Sequence, residues 1–249
     1  MVAALVLAGT RPGGDPFAQA VGAAHKALIV IEGQTMLARV VEALRAAECA
    51  PVIVCCDEGP VADLARALGA EIVPPRSGPS GSVLAAFDQS GAPLLVTTAD
   101  HALLRPEWVR ELIDKAPGEA DLAVMLAERA RIEAAMPGSR RTYLRFADGH
   151  WSGCNLFLLR TPRARKAIET WAVVEADRKR PWKIVARLGL GNLLTYLLGR
   201  LSLADGLARL GRRFGAEIAL VPASDGLAAV DVDSERDLAD VTALLARRG

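Results

Sequence analysis

Residues 3–16 read AALVLAGTRPGGDP, and this stretch decides how the rest of the sequence is interpreted. Five apolar residues suited to a buried strand end at Leu7, and a loop containing three glycines and an arginine follows directly. Glycine lets the backbone approach a ligand closely and arginine neutralises phosphate charge, so the loop suits a polyphosphate. The stretch runs on to His25 and to Lys26, a second candidate cation. A plain glycine-rich turn has the same composition and is the alternative.

Short apolar runs alternate with longer helical patterns through the first half of the chain. Such alternation is typical of parallel strands joined by crossover helices and predicts an α/β fold. Ligands of such sheets bind at the carboxyl ends of the strands, which selects the loops after Leu7, Val73 and Thr98. The predicted strands are 3–7, 52–55, 71–73 and 94–98, and the predicted helices lie near 34–47, 59–68, 82–90 and 106–115.

The second half of the chain has a different pattern. The runs LAVML, TYLRF, NLFLL, EIALVPA and LAAVDVD each predict a strand, and the segments from Arg160 and from Ser234 have helical periodicity. With 249 residues, 51% of them apolar and 24% charged, the composition is that of a globular chain. We therefore expect one folded domain, residues 1–249.

Charge is balanced overall but unevenly distributed. A net charge of +1 excludes a general nucleic-acid binder. Residues 160–213 nevertheless contain thirteen basic and four acidic residues, a net +9, which leaves −8 for the remainder. One hypothesis is peripheral contact of this segment with an anionic membrane, through the apolar run LGNLLTYLLG. The other is a helical subdomain with a solvated charged face.

The four cysteines predict packing rather than a disulfide framework. Cys55 and Cys56 adjoin within an apolar run, and no pair has C-x-x-C spacing. A reducing, cytoplasmic location is therefore expected. Three scattered histidines also give no zinc-ligand spacing. The sequence favours no particular oligomeric state.

An aspartate follows the fourth predicted strand, in LLVTTADHA. Asp100 stands just past the carboxyl end of a central strand, where a carboxylate faces the ligand crevice and suits a divalent cation. The alternative is that Asp100 caps the following turn. We interpret His101 as a turn residue.

Two more aspartates occur late in the chain, in LAAVDVDSERDL. Alternation along a strand would point Asp231 and Asp233 to the same side, towards one cation. Alternatively, Asp233 or Ser234 caps the following helix.

A serine- and glycine-rich stretch forms the fourth candidate site, residues 74–87, PPRSGPSGSVLAAF. Exposed N–H groups and hydroxyls before a helix suit a nucleobase edge or a phosphate. A helix N-cap role for Ser80 or Ser82 would explain the same residues.

Together these motifs resemble the MobA-like nucleotidyltransferases of the GT-A-type α/β class. The shared features are LAG with a following Arg and Lys, a G-P-x-G loop after the third strand, an Asp after the fourth and the late D-x-D-S-E-x-D-L. The resemblance covers about residues 1–115 and 225–246. It implies a Rossmann-like, mixed but mostly parallel sheet flanked by helices. It also implies a nucleotide-binding half, 1–120, and an acceptor-binding half, 121–249, with a helical insertion at about 160–213.

The resemblance implies transfer of NMP from a nucleoside triphosphate to a phosphorylated small-molecule acceptor, with release of pyrophosphate and with Mg²⁺ as cofactor. The acceptor would attack the α-phosphorus in line while cationic side chains neutralise the leaving pyrophosphate. The implied residues are Leu7, Ala8, Gly9, Thr10, Gly78, Ser80 and Gly81 for the nucleotide; Arg11, Lys26 and Asp100 for catalysis; Asp100 and Asp233, or Asp231, for Mg²⁺; and Gly153 and Asn155 for the acceptor. A strand-edge asparagine is the alternative reading of Asn155.

Two departures from the family pattern keep other functions open. Thr10 stands where the family has a second glycine, and TTADHAL lacks both prolines of the family's P-x-D-x-P. One alternative is a GT-A glycosyltransferase that uses a nucleotide sugar, with Asp231 and Asp233 as its D-x-D. The other is a non-catalytic, nucleotide-binding or membrane-associated regulator built on a degenerate loop.

Overall fold

The computed structural model describes residues 1–10, 13–176 and 190–247. Its strands are β1 (Ala3–Leu7), β2 (Val30–Ile31), β3 (Gln34–Thr35), β4 (Val52–Cys55), β5 (Glu71–Val73), β6 (Leu94–Thr98), β7 (Leu122–Glu128), β8 (Leu144–Phe146), β9 (Gly149–Leu159) and β10 (Ile218–Pro222). Its helices are α1 (Pro16–Ala20), α2 (Met36–Ala46), α3 (Pro60–Ala67), α4 (Gly78–Ser90), α5 (Pro106–Lys115), α6 (Arg129–Ala135), α7 (Ala164–Ala176), α8 (Leu190–Leu197), α9 (Leu203–Phe214) and α10 (Glu235–Ala246).

Most strands join one mixed sheet with β1 near its centre. The order is β10-β7-β9-β6-β1-β4-β5, and β8 pairs with β9. The pairs β1–β4, β1–β6, β4–β5 and β7–β10 are parallel, whereas β9 runs antiparallel to β6, β7 and β8. The predicted mixed, mostly parallel α/β sheet is therefore confirmed.

Helices cover both faces of the sheet, which explains why β1 is apolar throughout. Ala4 and Val6 pack on one face against α2, α3, α5, α6 and α10. Ala3 and Leu5 pack on the other face, which α4 and α7 cover. Further along the sheet, α9 extends the second layer through Leu203. Burial on both faces of a central strand favours apolar side chains at successive positions.

Most predicted elements have their predicted bounds within a few residues, and two predictions are wrong. Helix α4 begins at Gly78, not at 82, with Ser77 as N-cap. Ser82 instead accepts from the backbone N–H of Arg76 at 2.9 Å and donates to the Gly78 carbonyl at 3.1 Å, inside the first turns. The predicted N-cap role of Ser80 or Ser82 is therefore incorrect.

The late run LAAVDVD is not a strand. A 3-10 turn, Gly226–Ala229, begins after Asp225, whose side chain accepts the Leu227 N–H. The extended residues after the turn join no strand of the described sheet; the Val232 N–H instead donates to the carbonyl of Asp100 at 3.1 Å. The segment is therefore pinned across the carboxyl end of β6 rather than added to the sheet.

Candidate functional site

Three of the predicted site residues meet at the carboxyl end of the central strands. The Lys26 ammonium lies 2.7 Å from Asp100 Oδ2 and also contacts Asp233 Oδ1. The two aspartates are separated by more than 130 residues in sequence, yet one cation contacts both. The structure therefore brings together Lys26, Asp100 and Asp233.

Local structure fixes two of the three residues, Lys26 and Asp100. Lys26 begins a 3-10 turn, Lys26–Leu28, that His25 caps by accepting the Ala27 N–H on Nδ1 at 3.0 Å. Asp100 follows β6, and its Oδ1 accepts a hydrogen bond from the Thr98 hydroxyl. This bond leaves Asp100 Oδ2 to face Lys26.

The charges at this cluster are partly shielded from water. The Lys26 side chain is 14% exposed and that of Asp100 21%, while Asp233 is 62% exposed. Burial disfavours the Lys26 ammonium, but attraction to Asp100 and hydrogen bonds from Lys26 to Asp100 and Asp233 outweigh it and raise the pKa of Lys26. Lys26 is therefore a cation at any physiological pH.

The same two carboxylates fit a hard divalent cation. Their oxygens already converge on one positive charge, and carboxylate oxygen is the ligand Mg²⁺ prefers. Within the described ranges, no three His, Cys, Asp or Glu side chains cluster as a metal site. Two protein carboxylates suit Mg²⁺, which keeps several waters and takes further oxygens from substrate phosphates.

The comparisons with known proteins identify the family of this chain. The model of the MobA-like NTP transferase domain matches residues 4–214. This chain belongs to the MobA-like NTP transferase family. Family membership makes it a nucleotidyltransferase. The matched range contains Lys26 and Asp100 but ends before Asp233. The evidence that Asp233 lies at the site is therefore its contact with Lys26 in the structure, not the family match.

Solved structures share the MobA-like fold. A hypothetical transferase of Thermus thermophilus is 34% identical, with a TM-score of 0.82 over 96% of this chain and 100% of its own. A CMP:2-keto-3-deoxy-manno-octonic acid synthetase complexed with CTP is 18% identical, with a TM-score of 0.62 over 100% and 99%. The 2-C-methyl-D-erythritol 4-phosphate cytidylyltransferase of Thermus thermophilus is 16% identical, with a TM-score of 0.55 over 99% and 100%. No curated protein sequence matches the chain.

The first loop of this MobA-like chain lies against the loop that follows β5. A Cβ at Gly9 would stand 3.6 Å from Cβ of Pro75, an ordinary van der Waals distance, so the two loops are neighbours there. Ala8 is buried at the end of β1, and Thr10 is exposed beyond it. Arg11 lies outside the described residues.

The predicted base-contacting residues differ in exposure. Gly78 is exposed and Gly81 is half-buried, whereas the Ser80 side chain is only 2% exposed. Ser80 is therefore buried at the start of α4, and Gly78 and Gly81 are the accessible members of this predicted set.

Asp231 does not share the Lys26 cluster, which corrects the expectation that Asp231 and Asp233 point to the same side. Asp231 Oδ1 forms an ion pair with Arg141, and Asp231 Oδ2 accepts from Asn155 Nδ2 at 2.8 Å. The prediction assumed the alternating side chains of a strand, and residues 230–233 do not form one. Ser234 caps α10 by accepting the Asp237 N–H, as one of the predicted alternatives had it.

Asn155 occupies a bulge within β9 rather than a sheet edge. Val124 pairs with Phe157 and Leu126 pairs with Gly153, so three residues of β9 stand opposite one residue of β7. Asn155 has a φ of 50°, which turns this part of the strand out of its ladder. Gly153 is exposed, and a Cβ there would meet nothing within 4 Å. The bulge thus places Asn155 against residues 231–237, DVDSERD, which we call the acidic segment.

Sequence reasoning missed Arg141 and Thr98. Thr98 had a usable signal, because a residue two positions before Asp100 at a strand end can reach its carboxylate. Arg141 had none, since it lies in an ordinary polar loop and its partners stand 90 and 96 residues later in the chain.

Part of the basic segment is committed to structural contacts. Arg165 pairs with Asp88 on α4 at 2.9 Å, and Arg160 donates to the Pro117 carbonyl at 2.7 Å. Residues 178–187 lie outside the described part. No helix in the described ranges is long and apolar enough to cross a membrane. Helix α8 and the residue after it nevertheless expose three leucines, Leu194, Leu197 and Leu198.

Proposed function

We propose that this enzyme transfers NMP from a nucleoside triphosphate to a phosphorylated small-molecule acceptor and releases pyrophosphate, with Mg²⁺ held by Asp100 and Asp233. The observation that carries this proposal is the convergence of both carboxylates on the Lys26 ammonium, beside the glycine loop that ends β1. Sugar, alcohol or cofactor phosphates are the acceptor classes.

Each part of the site has a proposed task. Leu7, Ala8, Gly9 and Thr10, with Arg11 from sequence, hold the triphosphate, and Gly78 and Gly81 at the start of α4 contact the base, with Ser80 buried beside them. When bound by the two carboxylates, Mg²⁺ would supply charge neutralisation and Lewis-acid polarisation.

Lys26 supplies a positive charge that lies between the two proposed metal ligands. Its ammonium can exchange carboxylate oxygens for phosphate oxygens, where negative charge develops on the leaving pyrophosphate. An acceptor phosphate is already ionised, so no general base is needed, and the rate comes from alignment of the two substrates. Gly153, with open space above it, and Asn155 form the proposed acceptor side.

The glycosyltransferase alternative required Asp231 and Asp233 to bind one cation. These carboxylates have different partners, Arg141 with Asn155 for the first and Lys26 for the second, so no observation favours that alternative.

The first test is nucleotide binding. Thermal unfolding with ATP, CTP, GTP and UTP, each with MgCl₂, should give one nucleotide that raises Tm, because a ligand at 100 times its Kd adds about 2.7 kcal/mol. Asp100→Asn and Asp233→Asn should lose the Mg²⁺-dependent part of this rise. Asp63→Asn, an exposed carboxylate on α3, is the matched control. Absence of a rise with all four nucleotides would contradict the proposal.

The second test is turnover. Pyrophosphate release from the stabilising nucleotide is measured with pools of sugar, alcohol and cofactor phosphates. Release that requires both MgCl₂ and one pool supports the proposal. Tight nucleotide binding without release in any pool would instead support the non-catalytic regulator.

A further inference from the structure

One arginine from a distant loop holds the acidic segment that carries Asp233. Arg141 lies between α6 and β8, and its guanidinium forms an ion pair with Asp231. The same group donates to the Asp231 carbonyl at 2.6 Å and reaches Asp237 Oδ1 at 3.2 Å. Its planar array of donors therefore fixes both the backbone and the side chains of this segment.

These contacts lead directly to Asp233. The other oxygen of the Asp237 carboxylate, Oδ2, accepts the Asp233 N–H at 3.3 Å and the Ser234 hydroxyl at 2.6 Å. Arg141 thus holds the residues on both sides of Asp233, while the Asp233 side chain remains 62% exposed and turned to Lys26. Within the described ranges, the ion pairs of Arg141 go to Asp231 and Asp237, whereas those of Lys26 go to Asp100 and Asp233.

The electrostatics make this arginine difficult to replace. The side chains of Arg141, Asp231 and Asp237 are 9%, 19% and 20% exposed. Two largely buried carboxylates share one guanidinium. Asp231 also accepts a hydrogen bond from the Asn155 side-chain amide. Without Arg141 the two carboxylates would lose this compensation and would repel one another and Asp233.

We propose that Arg141 is a positioning residue that sets Asp233 against Asp100, and so determines the affinity of the carboxylate pair for a divalent cation without contacting that cation. The inference rests on the proposed function, which assigns Asp100 and Asp233 as ligands. It assigns Asp231 to the support of the site rather than to the cation.

The experiment measures binding of MnCl₂ alone to the full chain, by electron paramagnetic resonance. Arg141→Met should weaken binding by about tenfold or more, the usual effect of losing a group that orients a ligand. Arg236→Met is the matched control. Arg236 joins the same two segments through the Gly138 carbonyl at 2.9 Å, and its ion pair is with Asp240 of the same helix at 3.8 Å rather than with Asp231 or Asp237. Equal losses in both variants, or none in Arg141→Met, would overturn the proposal.

A second pair of variants distinguishes support from ligation. Asp231→Asn keeps an oxygen for Arg141, so Mn²⁺ affinity should stay close to that of the parent. The double variant Arg141→Met/Asp231→Asn removes both charges and should bind Mn²⁺ more tightly than Arg141→Met alone. If Asp231→Asn loses as much affinity as Asp233→Asn, Asp231 is a ligand and the proposal fails. This comparison needs only Asp231→Asn to fold.

Failure of the proposed function has a different signature. In that case the parent does not bind Mn²⁺, or Asp100→Asn and Asp233→Asn bind it as the parent does. Failure of the Arg141 inference alone leaves those two variants impaired and Arg141→Met unimpaired.

Discussion

Lys26 occupies the position between two carboxylates that a divalent cation would also take. Lys26→Met removes this competing charge, so Mn²⁺ binding without nucleotide should tighten by about tenfold, or about 1.4 kcal/mol. The electron paramagnetic resonance signal of free Mn²⁺, followed as protein is added, measures this affinity. Lys115→Met removes a surface lysine paired with Glu111 and should change nothing. Unchanged or weaker binding in Lys26→Met would show that the ammonium and the metal do not compete.

Asp121 is a second residue whose charge is fixed by its surroundings. Burial would raise its pKa, but the Thr161 hydroxyl, the Glu217 N–H at 2.8 Å and Arg163 lower the pKa of Asp121 below its ordinary value of 3.8. A carboxyl group with a lowered folded-state pKa stabilises the protein above pH 3.8 and loses this contribution as pH falls through the folded-state pKa.

Asp121→Asn should therefore reduce the free energy of unfolding by about 1–3 kcal/mol at pH 7, the usual cost of disturbing a buried hydrogen-bonded charge. Urea denaturation at pH 7, 5 and 3 checks this, and the difference from the parent should shrink towards the lowest pH. Asp63→Asn, at a 74% exposed carboxylate, serves as control. A difference that grows in acid would contradict the assigned sign.

Among the elements, the 3-10 turn Gly226–Ala229 packs against α6 with no space to spare. A Cβ on Gly226 would stand 2.2 Å from the Arg131 carbonyl oxygen and 2.5 Å from the Ile132 nitrogen. Backbone cannot yield as a flexible side chain can, so the turn that leads to Asp231 and Asp233 must shift if Gly226 is replaced.

Gly226→Ala should lower the free energy of unfolding by about 1–3 kcal/mol through overpacking, and should reduce turnover more than stability alone explains. Chemical denaturation and the pyrophosphate assay, both at a temperature where the variant is folded, measure the two effects. Gly118→Ala is the control, since a Cβ at Gly118 meets nothing within 4 Å. Full activity in Gly226→Ala would show that the position of this turn does not affect the site.

The elements also show how much of the molecule could be predicted from its sequence. The four parallel strands of the first half were predicted. In β1, β4 and β6 the signal is burial on both faces, which leaves apolar runs such as VIVC. The late run LAAVDVD has the same apolar character, yet it packs as a turn against α6 and bonds to Asp100. The composition of this run does not indicate whether a neighbouring strand is available to pair with it.

The site was predictable to the same extent. Lys26, Asp100 and Asp233 were predicted from the glycine loop, from the end of β6 and from the late aspartate motif, and the structure brings them together. The contact of Asn155 with Asp231 and the contacts of Arg141 join residues that are 76 to 96 positions apart in the chain. No periodicity within a short window encodes such pairings, so these contacts required the structure.

For the whole molecule, the uneven charge predicts that the protein binds anionic membrane surfaces in preference to neutral ones. The basic segment 160–213 includes α8, where Leu194, Leu197 and the adjoining Leu198 are 59%, 70% and 59% exposed. Exposed leucines beside basic residues suit an anionic bilayer surface. The chain should cosediment with phosphatidylglycerol vesicles and less with phosphatidylcholine vesicles, and added salt should weaken the binding.

Replacement of the three leucines by serine should reduce this cosedimentation, while nucleotide binding stays unchanged. Val30→Ser is the control, because Val30 is also 59% exposed but lies on β2. Equal binding to both kinds of vesicle, or full binding by the triple variant, would leave the solvated helical subdomain as the explanation.

The position of β9 has a consequence for synthesis of the chain on the ribosome. β9 pairs with β6 on one side and β7 on the other, so the sheet of the first half has an open edge until residues 149–159 emerge. The carboxylate pair is completed later still, when Asp233 emerges. A nascent chain therefore has its glycine loop and Lys26 long before it has both carboxylates, and the proposed metal site forms only after residue 233 has been made.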